Sequence, residues 1–390
     1  MIPYGRQDIT QDDLDAVRDV LTSDFLTQGP RVPDFEAAVC RAAGAAHGVA
    51  ANSATSALHV ACMALDLGPG DWLWTSPNTF VASANAGVYC GAQVDFVDID
   101  PKTFNMDPDA LSAKLEQAAK AGRLPKVLIP VHMTGQSADM ERIGPLARSY
   151  GVRVIEDASH AIGARFAGQP VGTCRHSDIT VFSFHPVKIV TTAEGGMAVT
   201  QDAALAERMR RGVSHGITRD PARMTHDSDG PWYYQQIDLG YNYRMTELQA
   251  ALGLSQMTRL HDYVAARAAR ARRYDEALAS LPLSLPYQDP RSASSWHLYV
   301  IELRLEALAW SHRRVFEALR AAGIGVNLHY IPVHTQPFYE AMGFRPGDFP
   351  LSEAYYARAI SIPLFATMTD AQQDTVINTL GTVLAEARQA

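Results

Sequence analysis

Ser183-Phe184-His185-Pro186-Val187-Lys188-Ile189-Val190-Thr191-Thr192-Ala193-Glu194-Gly195-Gly196 sets one lysine between a strand-like run and a glycine-terminated turn. The residues leading in, Ile179 to Phe184, have the β-branched and aromatic texture of a buried strand. A lysine in a loop that leaves such a strand is partly desolvated. Desolvation lowers the amine pKa and makes the free base available to attack an aldehyde. Most lysines are solvated surface charges, so the rest of the chain must supply the context for Lys188.

Outward from that stretch, short β-rich runs alternate with helical patterns over about residues 48 to 200. Gly48–Ala51, Trp72–Thr75, Val94–Val97, Lys126–Val131, Val152–Glu156 and Ile179–Phe184 read as strands. Ser56–Leu65, Val81–Cys90 and Met140–Tyr150 read as helices. Strand and helix taking turns predict an α/β fold with a mostly parallel sheet covered on both faces. In the first helix Leu58, Ala61, Cys62 and Leu65 form an i, i+3, i+4, i+7 stripe, and Gly68 with Pro69 beyond is the expected stop. Thr246-x-x-Gln249 has the form of a capping box and is expected to open one long helix to about Leu281. After Pro286 the texture changes: Trp296–Leu303 and Gly325–Tyr330 are strand-like, Ser311–Ala322 and Thr369–Glu386 helical. The expected organisation is an N-terminal segment (1–14), a large α/β domain (15–264) and a smaller C-terminal α+β domain (265–390). His215–Gln236, rich in Asp, Gly, Pro and aromatic residues, reads as a long loop.

Composition narrows the function classes. The chain has 390 residues, 47% hydrophobic and 19% charged, and a net charge of -8 from 34 basic against 42 acidic residues. That is an ordinary globular balance without the basic footprint of a nucleic-acid or anionic-membrane binder. The N-terminus Met1-Ile2-Pro3-Tyr4-Gly5-Arg6 lacks a signal-peptide core, and no apolar run approaches the ~20 residues of a membrane span, so a cytoplasmic location is expected. Cys40, Cys62, Cys90 and Cys174 lie far apart without a CxxC pair, which suggests neither a disulfide framework nor a metal site.

The aldehyde that suits such a lysine is pyridoxal phosphate (PLP), which also requires a carboxylate for its ring nitrogen, donors for its phosphate and a flat side chain against the ring. Asp157 closes the run Val152-Arg153-Val154-Ile155-Glu156-Asp157, at the carboxyl end of a buried parallel strand where open α/β sheets place ligands. The alternative use of Asp157 is as a helix N-cap. Asn52-Ser53-Ala54-Thr55-Ser56 opens the Leu58 helix, so its first-turn amides and the Thr55 and Ser56 hydroxyls converge where a phosphate could bind. Ser183 adds a hydroxyl from the lysine strand. Phe80 begins a helix just after a strand and either stacks on the ring or packs in the core. His160, three residues past Asp157, either bonds the cofactor's phenolic oxygen or orients Asp157.

Taken in order, Tyr4-Gly5-Arg6, Asp24-Phe25-Leu26-Thr27-Gln28-Gly29-Pro30, Asn52 to Ala57, Glu156-Asp157-Ala158-Ser159-His160-Ala161, Ser183 to Gly196, Gly240-Tyr241-Asn242-Tyr243-Arg244 and His329-Tyr330-x-Pro332 resemble the fold-type I PLP-dependent aminotransferases. More narrowly they resemble the DegT family, which aminates nucleotide-linked keto sugars. Ser-Phe-His-Pro-Val-Lys and Ser-Asp-Phe-Leu-Thr-Gln-Gly-Pro are similar to the branch that aminates C4 of a UDP-linked keto sugar on the way to pseudaminic acid. Ile189-Val190 depart from the Pro-Ile of many relatives and leave the lysine in place.

The resemblance implies a role for each position. Lys188 forms the Schiff base and serves as base and acid of a 1,3-proton shift, Asp157 pairs with the pyridinium, Phe80 stacks on the ring and His160 lies near the ring oxygen. Thr55, Ser56 and Ser183 hold the phosphate, and Asn242 reaches in from a neighbouring subunit, which requires a homodimer. Tyr4, Asp24, Phe25, Leu26, Thr27, Asn327, Leu328, His329 and Tyr330 contact the nucleotide sugar, and L-glutamate is the amino donor. A dehydratase of the same family carries histidine at the lysine position, against which Lys188 stands. A non-enzymatic PLP-fold regulator is the remaining alternative, disfavoured by the intact catalytic set.

Overall fold

Seven strands carry the centre of the protein in a computed structural model that describes residues 1–389. They are β1 (His47–Ala51), β2 (Trp72–Thr75), β3 (Gln93–Phe96), β4 (Val127–Ile129), β5 (Arg153–Asp157), β6 (Ile179–Ser183) and β7 (Gly196–Thr200). Across the sheet the order is β1-β7-β6-β5-β4-β2-β3. β7 is antiparallel to both β1 and β6, and the other pairs are parallel. The α/β architecture follows from side-chain alternation. Leu73, Ile129 and Ile155 face a core built with the helix Ala54–Ala64, whereas Trp74, Leu128 and Val154 face another built with the helices Pro108–Ala121 and Met140–Ser149.

Between β6 and β7 the chain doubles back through residues 184–195, so the lysine loop is closed at both ends. Phe184 N–H donates to the Gly195 carbonyl (2.9 Å) and Thr192 N–H to the Phe184 carbonyl (2.9 Å). The Thr191 hydroxyl donates to the same Phe184 carbonyl (3.1 Å). A loop pinned in this way holds Lys188 at the sheet's carboxyl edge with little freedom left to lose on binding.

Several local expectations are corrected. The residue that ends the helix Ala54–Ala64 in the left-handed region is Asp66 (φ 58°), two positions before Gly68, and Leu67 N–H bonds the Cys62 carbonyl (3.1 Å). The capping box at Thr246 and Gln249 is present, but the long helix is broken into Glu247–Met257 and Leu260–Leu278. Arg259 leaves helical geometry (φ -108°, ψ 6°) and its guanidinium pairs with Asp13 (2.7 Å), which is 1% exposed and also accepts from Ser255 and Gln256. A tertiary ion pair here outweighs local helix preference.

The C-terminal part has its own core. β8 (Leu283–Ser284), β9 (Tyr299–Leu303) and β10 (Ala359–Ile362) form an antiparallel sheet in that order, against which Tyr274, Leu319 and Leu380 pack. β9 starts three residues later than expected because Trp296 lies at φ 52°. Of the expected strand Gly325–Tyr330, only Gly325 is in a strand, with Ile324, paired in parallel with Ile2–Pro3; Asn327 makes a single bridge to Ser361. Within His215–Gln236 only Ile217–Thr218 and Gln235–Gln236 pair. No helix among the described residues is long and apolar enough to cross a membrane.

Candidate active site

The carboxyl ends of β5 and β6, the lysine loop and the start of the helix Ala54–Ala64 open on one cavity of about 590 Å³. Asp157, the last residue of β5, is 5% exposed and borders it. Its carboxylate accepts from the Ser83 hydroxyl (2.6 Å) and from the Ser159 backbone N–H (3.0 Å). Thr79 backs Ser83 at 2.8 Å. The group is thus held in one orientation before any ligand enters.

Lys188 borders the same cavity. Burial lowers its amine pKa to about 8, against an opposing pull from the Asp157 charge. At neutral pH roughly one amine in ten is then free base, against fewer than one in a thousand for an ordinary lysine. Acylation of Lys188 in the cofactor-free protein, followed by peptide mass mapping, is therefore expected to rise with pH with a midpoint near 8. A midpoint above 10 would mean that the side chain is solvated.

Ser53 and Thr55 at the helix start and Ser183 at the end of β6 are among the hydroxyl-bearing residues that line the cavity. Ser56 is not. Its hydroxyl donates to the Asn52 side-chain carbonyl (2.7 Å) and lies 3.0 Å from the Ser53 hydroxyl, and its N–H is capped by Ser53 (3.1 Å). Gly196 opens β7 directly against this helix start. A Cβ there would stand 2.4 Å from Ala54 N and 2.5 Å from Ala54 Cα, backbone atoms that cannot swing away. A Gly196→Ala variant is expected to lose about 1–3 kcal/mol of stability and to release cofactor on dialysis. Wild-type melting temperature and full cofactor retention would contradict this.

Phe80 is 58% exposed, with its ring on the cavity 6.0 Å from that of Tyr330, so it is not core packing. His160 does not orient Asp157. Its Nε2 lies 3.0 Å from the Tyr330 hydroxyl and its Nδ1 has no partner, because Ser83 and the Ser159 N–H already occupy the carboxylate. Tyr4, Asn327, Leu328, His329 and Tyr330 also border the cavity. The pairing of Ile2–Pro3 with Ile324–Gly325 delivers Tyr4, whose ring stands 5.2 Å from that of His329. Burial and the Lys188 charge hold His160 and His297 well below the usual imidazole range and take His329 down to about 3.

Asp24, Phe25, Leu26, Thr27 and Asn242 stand apart from the cavity of their own chain and are exposed. Thr27 bridges Thr246, and Asn242 bridges Ser214. Sequence reasoning missed Ser53, Ser83 and His297. Ser83 follows Phe80 by one helical turn, so placing Phe80 at the sheet edge already carried Ser83 with it. His297, delivered by the C-terminal part of the chain, gave no such signal.

The donor set fits pyridoxal phosphate. An amine of lowered pKa, a buried and bonded carboxylate, an exposed ring, and hydroxyls beside the free amides of an eleven-residue helix meet the cofactor's four chemical demands.

Comparison with known proteins agrees with this geometry. Residues 7–381 match the model of the DegT/DnrJ/EryC1/StrS aminotransferase family. The chain is 37% identical over 389 residues to the spore coat polysaccharide biosynthesis protein SpsC of Bacillus subtilis, covering 99% of this chain and 98% of that protein. It superposes on Helicobacter pylori PseC, an aminotransferase involved in the biosynthesis of pseudoaminic acid, with a TM-score of 0.90 at 29% identity and 99% of each chain covered. The PLP form of Streptococcus pneumoniae Spr1654 matches with a TM-score of 0.89, again at 29% identity and 99% of each chain. By fold, by the cavity at the sheet's carboxyl edge and by sequence over nearly its whole length, the chain belongs to the DegT/DnrJ/EryC1/StrS aminotransferase family.

Proposed function

We propose that the chain transfers the amino group of L-glutamate to C4 of UDP-2-acetamido-2,6-dideoxy-β-L-arabino-hex-4-ulose. The product is UDP-4-amino-4,6-dideoxy-N-acetyl-β-L-altrosamine, an intermediate of pseudaminic acid synthesis. The observation that carries an aminotransferase reading is the meeting of Lys188 and Asp157 on one cavity. The cofactor is PLP, which when bound supplies an electron sink for the electrons released with a substrate α-proton. Asp157, locked by Ser83 and the Ser159 N–H, presents its carboxylate to the ring nitrogen. Thr55, Ser183 and the start of the helix Ala54–Ala64 hold the phosphate, and Phe80 covers the ring.

With the cofactor bound, Lys188 would take the substrate α-proton on its amine and act as the acid that gives it back, for which a pKa of about 8 is suited at neutral pH. Tyr4, Asn327, Leu328, His329 and Tyr330 line the side on which the sugar nucleotide enters. Asn242, away from its own cavity, and the half-exposed Phe25 and Leu26 support a homodimer in which Asn242 and the 24–27 segment complete the neighbour's site. Greater identity to SpsC than to PseC favours, as a second reading, another polysaccharide keto sugar as acceptor.

The experiment is incubation of the holoenzyme with glutamate and a panel of UDP-, GDP- and TDP-linked keto sugars, with product mass and C4 configuration determined. Selective amination of the β-L-arabino 4-ulose supports the narrow assignment. Equal activity on its epimer removes that assignment and leaves a broader sugar aminotransferase.

A further inference from the structure

The lining that one chain supplies to the cavity contains one lysine and no arginine among the described residues, yet an amino donor brings a carboxylate within one bond of the carbon that Lys188 deprotonates. Three imidazoles feel the Lys188 charge. Two already hold neighbouring side chains: His160 bonds the Tyr330 hydroxyl through Nε2 (3.0 Å), leaving its Nδ1 unpartnered, and His329 bonds the Ser361 hydroxyl (2.8 Å) and the Asn327 amide (3.4 Å). The third, His297, is 3% exposed, borders the cavity, packs its ring 4.4 Å from that of His160, and has no partner for its buried Nδ1.

Behind His297 lies Arg267, 2% exposed and without a carboxylate partner. Its Nη1 donates to the carbonyls of Trp296 (3.3 Å), His297 (3.2 Å) and Leu364 (3.0 Å), and its Nε is unpartnered. A buried cation with only carbonyl acceptors leaves its positive field uncompensated, and that field falls on the peptide that carries His297. A neutral imidazole N–H in front of an uncompensated guanidinium is a corner complementary to an anion that must itself be desolvated.

We propose that His297, with Arg267 behind it, receives the α-carboxylate of the amino donor. His297 is thereby a binding residue for the first half-reaction and Arg267 a positioning residue that acts through it. The sugar, whose reacting carbon bears no charged neighbour, does not use this corner. The inference rests on the aminotransferase reading given above for Lys188.

The test compares half-reactions of the holoenzyme in wild type, His297→Leu and His297→Asn, with L-glutamate and with 4-aminobutyrate, its analogue lacking the α-carboxylate. In His297→Leu, kcat/KM for L-glutamate is expected to fall roughly 10- to 100-fold, the size of a lost hydrogen bond to a charged group. The preference for L-glutamate over 4-aminobutyrate should shrink by the same factor. The second half-reaction with the nucleotide keto sugar should be unchanged, and His297→Asn, which keeps an N–H donor, should retain most of the preference. Equal losses in both half-reactions, an unchanged donor preference, or an Asn variant as impaired as the Leu variant would overturn the proposal.

Calorimetric binding of the two donors to Lys188→Ala and to Lys188→Ala/His297→Leu reads the corner without turnover. Donor discrimination lost only in the double variant upholds it even if Lys188 proves not to be the base; discrimination equal in the two variants overturns it.

Discussion

A Lys188→Ala variant is expected to fold like the wild type and to lose at least about 10³-fold in turnover, within the range for removing a positioned general base. Two features set the size of the effect. Lys188 is the sole lysine or arginine that its own chain places on the cavity lining among the described residues, so no neighbouring amine of that chain stands in for it. The loop that carries it is closed by backbone bonds at Phe184, Gly195 and Thr192, so the truncated site does not rearrange to present another group. Stability should be unaffected or slightly raised, since burial works against the charged amine. The check is single-turnover kinetics with glutamate beside a thermal melt. Full turnover from a variant with wild-type stability would remove Lys188 from the chemistry.

The second large effect is expected from Asp157→Asn, which preserves shape and removes charge. Loss of about 10²- to 10³-fold in turnover is the scale for deleting one preorganised electrostatic partner. A side effect with a definite sign accompanies it. The Asp157 charge raises the Lys188 pKa against burial, so its removal should carry the Lys188 acylation midpoint below about 8. Unchanged turnover would dissociate Asp157 from catalysis, and an unmoved midpoint would place it out of electrostatic reach of Lys188. A Ser83→Ala change should produce a smaller version of the turnover loss, because the Ser159 N–H still holds the carboxylate.

Much of the fold was legible because buried parallel strands announce themselves. Val152–Glu156 and Ile179–Phe184 are short runs rich in apolar and β-branched residues, and where they end places Asp157 and Lys188 relative to the sheet. What escaped was tertiary in origin. Thr258 and Arg259 sit inside an alanine- and arginine-rich stretch with every local mark of a helix, and only Asp13, far back in the chain, pulls Arg259 out of line. Ser56 carried the right residue type at the right helix start, yet its hydroxyl went to Asn52, a choice among rotamers that no spacing encodes. His297 reached the cavity from the C-terminal part of the chain, and contacts between distant segments leave no periodic trace.

Gly196, described above for its close approach to Ala54, has a consequence for selectivity. It joins the strand next to the lysine strand and the hydroxyl-bearing helix start without a spacer, so the amine and the hydroxyls proposed to hold the phosphate belong to one rigid frame. On that proposal the site would work as a length gauge, admitting aldehydes whose anionic arm matches the fixed span. Widening the gap by a single methyl group alters the measurement itself rather than any one contact along it.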